Sequence, residues 1–529
     1  MKILASASGR TRFCALLLAA ATFAVHLARV HLDSFPDALG WLLRSITPAC
    51  HTGTDPIAVG FLLMLPIACL VVCVTRNVVG IETFGTFAPA LLGLAFRSTD
   101  SIAGVCLFVL VVVPGWHFRT LLSPLRLLPV PRSSLLISFI AVLLVAAMHA
   151  AVALGVSPEA LPGLLPMVIL AGIIERFRST EEEGGLAQST RVLAGTMLVT
   201  FFVWLVVRQS QLTDLLMREP EWLGLAFAAQ LWIGRYTGLR LLESRRFGGL
   251  PREEVVGMNF RNAHLLADET RRGLHPLVDD KIEMAAICGR LGVPTPAILA
   301  VIDSGDHRSD PVERLRAWSE GVLKPARGFG GRGILILARD GDLWRGADGR
   351  AIHPEAIREH VREILAGAHS LDGIADRAIF QRRIVPHPFF EPIARRGIAD
   401  IRAIVRDGRV IESMLRLPTI ESAGRANLHQ GGIGAGIDPE SGRTVRAIRY
   451  EREIDRHPDT GARLIGIVVP QWAEICRMAI RVARATGLPF AGIDIVLDGE
   501  SGPMLLEANA RPGLGIQLAC GRGLRRAMA

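Results

Sequence analysis

Apolar and polar positions divide the 529-residue chain into two unlike halves. Apolar runs recur near 13–30, 57–75, 78–96, 101–118, 134–155, 161–177, 190–208 and 221–242, whereas residues 243–529 read like a water-soluble globular protein. Most runs approach the ~20 residues a helix needs to cross a bilayer. Glu82, with Gly80 and Gly85 beside it, interrupts the third run, and two prolines lie in the short sixth, so both are expected to be irregular or re-entrant. The pattern predicts a multi-domain chain: an all-α polytopic helical bundle followed by an α/β (α+β) domain.

Eight spans return both ends of the membrane half to the same side. One set of connecting segments holds Lys2, Arg10, Arg12, Arg76, Arg119, Arg126, Arg132, Arg176, Arg178, Arg191 and Arg240, with Arg245, Arg246 and Arg252. The other holds little beyond Arg44, Arg97, Arg208 and Arg218. Basic loops face the cytoplasm, so residues 243–529 are expected there, attached to a bacterial inner membrane. The first run also reads as a cleavable signal peptide, with a basic start and an Ala-rich end; seven remaining spans would leave the second half on the same side. The expected organisation is 1–56, a membrane segment or signal anchor with a short periplasmic loop; 57–242, seven membrane helices; and 243–529, a cytoplasmic domain.

The net charge of +9 is partly explained by this topology, and no aromatic–basic interleaving points to nucleic acid. The eight cysteines show no CxxC spacing and are expected to be buried free thiols. An ionisable Glu82 inside a span would be costly and functional; the preferred alternative places it near the cytoplasmic interface, capping or pairing there with a group such as Arg76.

Of 59 basic residues only Lys2, Lys281 and Lys324 are lysine. A lysine offers a compact, movable point charge where arginine offers a planar fork. Lys2 fits the basic flank of the first span. Lys324 precedes Gly328, Gly330, Gly331 and Gly333, and apolar β-type runs flank that loop. A dinucleotide-binding loop would open a helix, and a Walker loop carries its lysine after the glycines. The pattern therefore predicts a hairpin whose glycine-rich tip closes backbone N–H groups over phosphates, or else a purely structural turn. Farther on, the run 491–497 contains Asp494, a turn follows, and the run 504–509 contains Glu507 and Asn509. A hairpin centred between Glu500 and Ser501 sets Asp494 opposite Glu507, with Asn509 on the same face as Glu507. Three hard oxygen side chains converging inside apolar strands suit Mg²⁺ bridging phosphates; an edge hairpin with solvated acids is the other reading.

A lysine before a glycine-rich hairpin, followed by an Asp…Glu-x-Asn hairpin, resembles the ATP-grasp superfamily, and more closely the RimK-type α-L-glutamate ligases and their membrane-associated relatives. The likeness runs from about Asn259 to the C-terminus. It includes Val278-Asp279-Asp280-Lys281, Gly292-Val293-Pro294-Thr295-Pro296, Asp400-Ile401-Arg402, Arg416-Leu417-Pro418-Thr419, Ala426-Asn427-Leu428-His429-Gln430-Gly431-Gly432 and Glu507-Ala508-Asn509-Ala510-Arg511-Pro512-Gly513. The first half resembles a seven-helix membrane module usually fused to an inactive transglutaminase domain, through Val79–Phe87, Pro131-Arg132, Glu175-Arg176 and Gly234-Arg235-Tyr236-Thr237-Gly238. Residues 31–56 leave room only for a short loop where that family carries its soluble domain, so a transglutaminase-like or other envelope partner would be a separate chain.

The resemblance implies that Lys281 and Lys324 contact ATP phosphates and that Gly328, Gly330, Gly331 and Gly333 cover them. Gln381 would lie in the hinge beside the adenine, where many relatives have Glu. Asp494, Glu507 and Asn509 would hold one or two Mg²⁺, with Mn²⁺ as the alternative. Arg402, Arg416 and Asn427 match positions near the reacting phosphate and acyl group; His429 is read as a loop hydrogen-bonder. The implied activity is ATP-dependent carboxylate–amine ligation with release of ADP and phosphate, taking glutamate or another amino acid as carboxylate and an amine acceptor. Both steps gather negative charge, which Mg²⁺, Lys and Arg stabilise without a nucleophilic triad. RimK-type enzymes have a separate α/β domain before this core; here about 40 residues separate the last span from Lys281, so specificity does not carry over. The alternative is a membrane transporter or sensor whose ATP-grasp domain binds nucleotide for regulation only.

Overall fold

The computed structural model describes residues 7–30, 56–97, 101–122, 125, 129–153, 164–266, 273, 278–305, 310–328, 330–370 and 374–528. Lys2, Cys50 and nearly all of the expected 31–56 loop lie outside the described residues. Contacts divide the chain into two compact units, Met1–Glu243 and Ser244–Ala529.

The first unit is helical: α1 (Ala7–Val30), α2 (Pro56–Val74), α3 (Ala88–Ala95), α4 (Ser101–Leu121), α5 (Pro129–Ala153), α6 (Leu164–Gly184), α7 (Leu186–Val207), α8 (Ser210–Arg218) and α9 (Leu223–Ile233). Among the described residues, Ala58–Val79 and Leu186–Val207 are continuous helical stretches long and apolar enough to cross a bilayer. Leu62 and Phe201 on these helices, and Val142 on α5, expose large apolar surface, as lipid-facing positions do. The third run is broken as expected: a π-turn over Thr75–Val79 gives way to an irregular stretch, and only the eight residues of α3 are helical. Glu82 is exposed on that stretch, while Arg76 donates to Gly85 O and Thr86 Oγ1 at 3.1 and 2.8 Å. The eighth run departs from expectation. Its helix α9 has 11 residues, about 16 Å at 1.5 Å per residue, and cannot span ~30 Å alone. Gly234 closes the helix, and a turn through Gly238 separates it from the apolar residues beyond. The cysteines also depart from expectation: of the six described, all free, only Cys288 is buried and Cys14 is exposed; Cys14, Cys69 and Cys73 lie on apolar helices that present such positions outward.

The second unit holds two antiparallel sheets. The smaller has the order β1-β6-β2-β3-β4-β5, with β1 Ile298–Ile302, β2 Glu320–Pro325, β3 Leu335–Asp340, β4 Leu343–Arg345, β5 Ala351–Ile352 and β6 Ala378–Gln381. The larger has the order β11-β10-β9-β8-β7-β12-β13, with β7 Asp400–Arg406, β8 Arg409–Leu417, β9 Ile433–Ile437, β10 Thr444–Arg449, β11 Arg452–Glu453, β12 Phe490–Asp498 and β13 Gly502–Asn509. Helices α10 (Lys281–Leu291), α11 (Pro311–Leu315), α12 (Pro354–Leu365), α13 (Trp472–Thr486), α14 (Ile516–Cys520) and α15 (Leu524–Met528) complete the unit.

Each sheet buries a face against amphipathic helix. Ile357, Val361 and Ile364 of α12 recur at helical spacing and pack with Leu323, Leu337 and Phe380. Ile475, Met478, Ala479 and Val482 of α13 do the same for Ile401, Ala403, Ile493 and Ile495. At ~25 cal/mol per Å² of apolar surface, such faces supply most of what holds helix to sheet. The β7–β8 turn is Asp407-Gly408, both at positive φ (49° and 75°), the two-residue geometry that matches strand twist. It pairs Arg406 with Arg409, and a bulge between Ile404 and Val405 then shifts the register by one residue to Arg402↔Met414 and Asp400↔Arg416.

Candidate nucleotide and metal site

Four adjacent strands of the larger sheet, β8, β7, β12 and the edge strand β13, carry a row of charge. Across β7, β12 and β13 the register places Arg402 beside Asp494, and Asp494 beside Glu507. The hairpin has the pairing expected from its sequence, with one refinement: a bulge between Asp494 and Ile495 shifts the remaining pairs by one residue, to Asp498↔Gly502. Bulges turn side chains locally. The turn is held by Asp498, whose carboxylate accepts from Glu500 N and Ser501 N at 3.1 and 2.9 Å.

Asp494 is buried, and both of its oxygens accept hydrogen bonds. Its Oδ1 accepts from Arg402 Nε at 2.7 Å. Its Oδ2 accepts from Arg402 Nη2 at 2.5 Å, Arg416 Nη2 at 2.8 Å and Asn509 Nδ2 at 3.1 Å. Arg416 also donates to both oxygens of Asp400, each at 2.5 Å. Burial pushes the Asp494 carboxyl up, but Arg402 and Arg416 more than offset it and leave it below the usual range. Glu507 differs. Among the described residues no hydrogen-bond donor reaches its carboxylate, and burial pushes its pKa up despite the opposing pull of Lys281.

The glycine-rich loop joins β2 to β3, which pair antiparallel from Glu320↔Ala338 to Leu323↔Leu335. Gly330, Gly331 and Gly333 have φ of 63°, 77° and 64°, a region that disfavours any side chain. Gly328 is required for another reason: a Cβ there would lie 2.2 Å from Pro325 Cγ. Lys324, on β2, is 8% exposed. Burial, reinforced by the nearby Lys281 ammonium, pulls its pKa down to about 7. Lys281 opens α10 and donates from Nζ to Gly328 O at 2.6 Å, so it grips the loop while its charge also bears on Glu507.

Asp280 organises this junction. As the N-cap of α10 it accepts from Ile282 N and Glu283 N, and its other oxygen accepts from Arg327 Nε at 3.0 Å and Arg377 Nη2 at 2.7 Å. Asp376 adds a contact to Arg327 N at 2.9 Å. Gln381 ends β6 and donates from Nε2 to Pro296 O at 2.8 Å. Beyond it, Arg382 and Val385 N bond to Asp498, which anchors the segment to the larger sheet. Asn427 precedes a short turn over Leu428–Gln430, where its carbonyl accepts from Gln430 N and Gly432 N; no described contact joins its side chain to the acidic row. The sequence motifs include Asp280 and Asp400 without assigning them roles, and Asp498 is not singled out by its sequence. An Asp immediately before a helix was the usable signal for Asp280.

The residues fit a hard cation. Among the described residues no donor reaches the Glu507 carboxylate, Asn509 donates an N–H to Asp494 with no described partner on its carbonyl oxygen, and Asp494 adds charge. All three are oxygen donors of the kind Mg²⁺ prefers.

Comparison with known proteins agrees with this architecture. A family described as sugar-transfer associated ATP-grasp matches residues 260–529. A second, described as 7 transmembrane helices usually fused to an inactive transglutaminase, matches residues 58–251. A probable alpha-L-glutamate ligase of Psychromonas ingrahamii is 33% identical over 135 residues, 25% of this chain and 33% of the relative. One of Parasynechococcus marenigrum is 33% identical over 135 residues, 22% of its length. The chain thus spans a third or less of these two curated relatives. Among solved structures, D-alanine–D-alanine ligase from Bacillus anthracis with ATP has a TM-score of 0.30 at 13% identity, covering 51% of this chain and 74% of that one. D-cycloserine synthetase DcsG has 0.29 at 18% identity, covering 51% and 78%. Two antiparallel sheets, a glycine-tipped hairpin after a buried lysine and a match over residues 260–529 lead to one conclusion: the chain belongs to the sugar-transfer associated ATP-grasp family, with a match to the seven-helix family ahead of it over residues 58–251.

Proposed function

We propose that the protein is an ATP-dependent carboxylate–amine ligase held at the cytoplasmic face of a bacterial inner membrane, with residues 243–529 as the catalytic domain. The observation that carries this reading is the convergence of Lys281, Lys324 and Glu507. They come from three separate segments, and the charge of each bears on another. Arg402 stands level with Asp494 on the neighbouring strand, and Arg416 reaches the same carboxylate from β8.

In this reading a substrate carboxylate oxygen attacks the γ-phosphorus of ATP. The bond to the ADP oxygen breaks and an acyl phosphate forms. An amine nitrogen then attacks the acyl carbon, phosphate departs, and the amine loses a proton. Lys281 and Lys324 hold the phosphates, and Gly330, Gly331 and Gly333 bring backbone N–H groups over them. Arg402 and Arg416 oppose the charge that gathers on the transferring group and the tetrahedral centre. Asp494, Glu507 and Asn509 would hold Mg²⁺ or Mn²⁺, which when bound neutralises phosphate charge. Gln381 presents its free carboxamide oxygen to the adenine, and Asn427 serves the acyl end from its loop. The carboxylate is an amino acid such as glutamate, and the acceptor is an amine on a small molecule or envelope component. The Arg-rich segments on one side of the membrane half support the cytoplasmic placement.

The test uses the full-length chain in detergent with Mg-ATP, a panel of amino-acid carboxylates and amines. ADP and phosphate should appear together only when both organic substrates are present, and Glu507→Ala should abolish them. ATP binding without ADP release across the panel would reject ligation in favour of regulatory nucleotide binding.

A further inference from the structure

Beside the end of the glycine-rich loop lies a second group of ligating side chains, unused by the nucleotide site. His360 and Glu363 are three residues apart on α12 and so are surface neighbours; His369 follows in the segment after the helix. The two imidazole rings lie 5.5 Å apart. His360 Nδ1 stands 3.9 Å from Glu363 Oε2, and His369 Nε2 stands 3.7 Å from the same oxygen. One ligand atom from each residue falls within 4.8 Å of the other two. These separations exceed a hydrogen bond. They lie a few tenths of an ångström outside the roughly 3.4 Å between neighbouring ligands of tetrahedral zinc.

The tautomer is already set for such a site. His360 Nε2 is 2.9 Å from Gly333 O. A carbonyl only accepts, so Nε2 carries the hydrogen, and a neutral ring then has its lone pair on Nδ1, the atom facing Glu363. Ligating histidines are commonly oriented by a backbone carbonyl in this way. The side chains are 16%, 32% and 23% exposed for His360, Glu363 and His369, sheltered enough to hold an arrangement and open enough to admit an ion.

We propose that His360, Glu363 and His369 form a binding site for a first-row divalent transition metal, Zn²⁺ in chemical class. Two imidazoles and one carboxylate suit that borderline ion, whereas Mg²⁺ prefers the all-oxygen set on the larger sheet. The site is coupled to the loop at Gly333. His360 holds the Gly333 carbonyl, and a Cβ on Gly333 would lie 2.7 Å from His369 Cγ. Metal occupancy fixes both rings and with them the β3 end of the phosphate cover. The proposal stands whether or not the domain catalyses ligation.

The full-length chain in detergent, stripped by a chelator and kept in excess Mg²⁺, is titrated with Zn²⁺ against a chromogenic chelator and separately with Co²⁺. One Zn²⁺ should bind per chain. His369→Ala and Glu363→Gln should each weaken it by more than about tenfold, the least that loss of even an outer-shell partner costs, and Glu507→Gln should leave it unchanged. The Co²⁺ spectrum should be of nitrogen–oxygen type, without thiolate charge-transfer bands from the cysteines. Metal-free melting temperatures identify any variant that fails to fold, and the shape-conserving Glu363→Gln decides where a histidine variant does. No Zn²⁺ binding by the wild type, equal affinity in wild type and Glu363→Gln, or thiolate bands would overturn the proposal.

Discussion

Asp494 and Glu507 stand directly opposite each other on β12 and β13, yet only Asp494 is neutralised by arginine. The pairing divides the work of two neighbouring carboxylates. Asp494 fixes the guanidinium groups of Arg402 and Arg416, and Glu507 remains available to a cation. Glu507→Gln keeps the shape and removes the charge, so it should lower ATP turnover by roughly 10²-fold or more. Stability should respond in the opposite sense. A carboxyl with a raised folded pKa favours folding fully below its unfolded value, and that contribution is lost as pH rises. At neutral pH the metal-free variant should therefore melt at or above the wild-type temperature. A clear drop in melting temperature would show that Glu507 is structural.

Arg416 should behave very differently. It is 5% exposed and bridges Asp400 and Asp494, themselves 4% and 1% exposed. Arg416→Met strands the buried Asp400 carboxylate and removes one of the donors to Asp494, which keeps Arg402, at a cost of about 3–5 kcal/mol. Thermal unfolding of the full chain should show a marked loss at pH 7. The gap should narrow toward acid, where the stranded carboxylate can protonate.

Lys324 should make nucleotide binding proton-linked. Its pKa falls from the ordinary 10.5 to about 7 because of burial and then Lys281. In the free protein between those values the folded state carries the neutral amine, so stability rises with pH from about 7 to 10.5. Phosphate anions restore the charged form. At pH 8 ATP binding should take up as much as one proton, visible as a dependence of calorimetric heat on the ionisation enthalpy of the buffer. Lys324→Met should abolish the uptake. Lys324→Arg keeps a charge but cannot sit as a compact ammonium, and it should lose most turnover. Binding heats independent of buffer at pH 8 would remove this role.

The loop glycines should not be equivalent. Gly330 has open space around a built Cβ, so Gly330→Ala carries only the positive-φ cost of about 1–3 kcal/mol. Gly333→Ala adds the clash with His369. Equilibrium ATP binding should weaken more for Gly333→Ala than for Gly330→Ala; the reverse order would mean that the loop rearranges before binding.

The placement of residues 243–529 has its own check. Protease added to inside-out membrane vesicles should digest this region, and in intact spheroplasts the region should survive. Digestion in spheroplasts would reverse the proposed topology.

Local physics made several of these features legible without coordinates. The Asp494–Glu507 pairing follows from strand alternation and a polar, glycine-containing turn, both encoded within about 20 residues. The glycine hairpin after Lys324 and the broken helix at Glu82 are likewise local. The length of α9 is not legible in the same way, because hydropathy over 221–242 does not register that Gly234 ends a helix inside an apolar run.

Sequence alone thus determined the two-part organisation, the hairpins and the residue types gathered for phosphate and cation chemistry, because periodicity and turn propensity act over a few residues. Tertiary structure decided which charges meet. Lys281 reaches Gly328 across 47 positions, Arg402 reaches Asp494 across 92, and Arg382 reaches Asp498 across 116. Those partners are set by how β7 docks on β12 and how the smaller sheet is tied to the larger. Burial then settles the rest: desolvation lowers Lys324 and raises Glu507, while paired guanidinium groups hold Asp494 down. No one of these residues carries that information in its own neighbourhood of the chain.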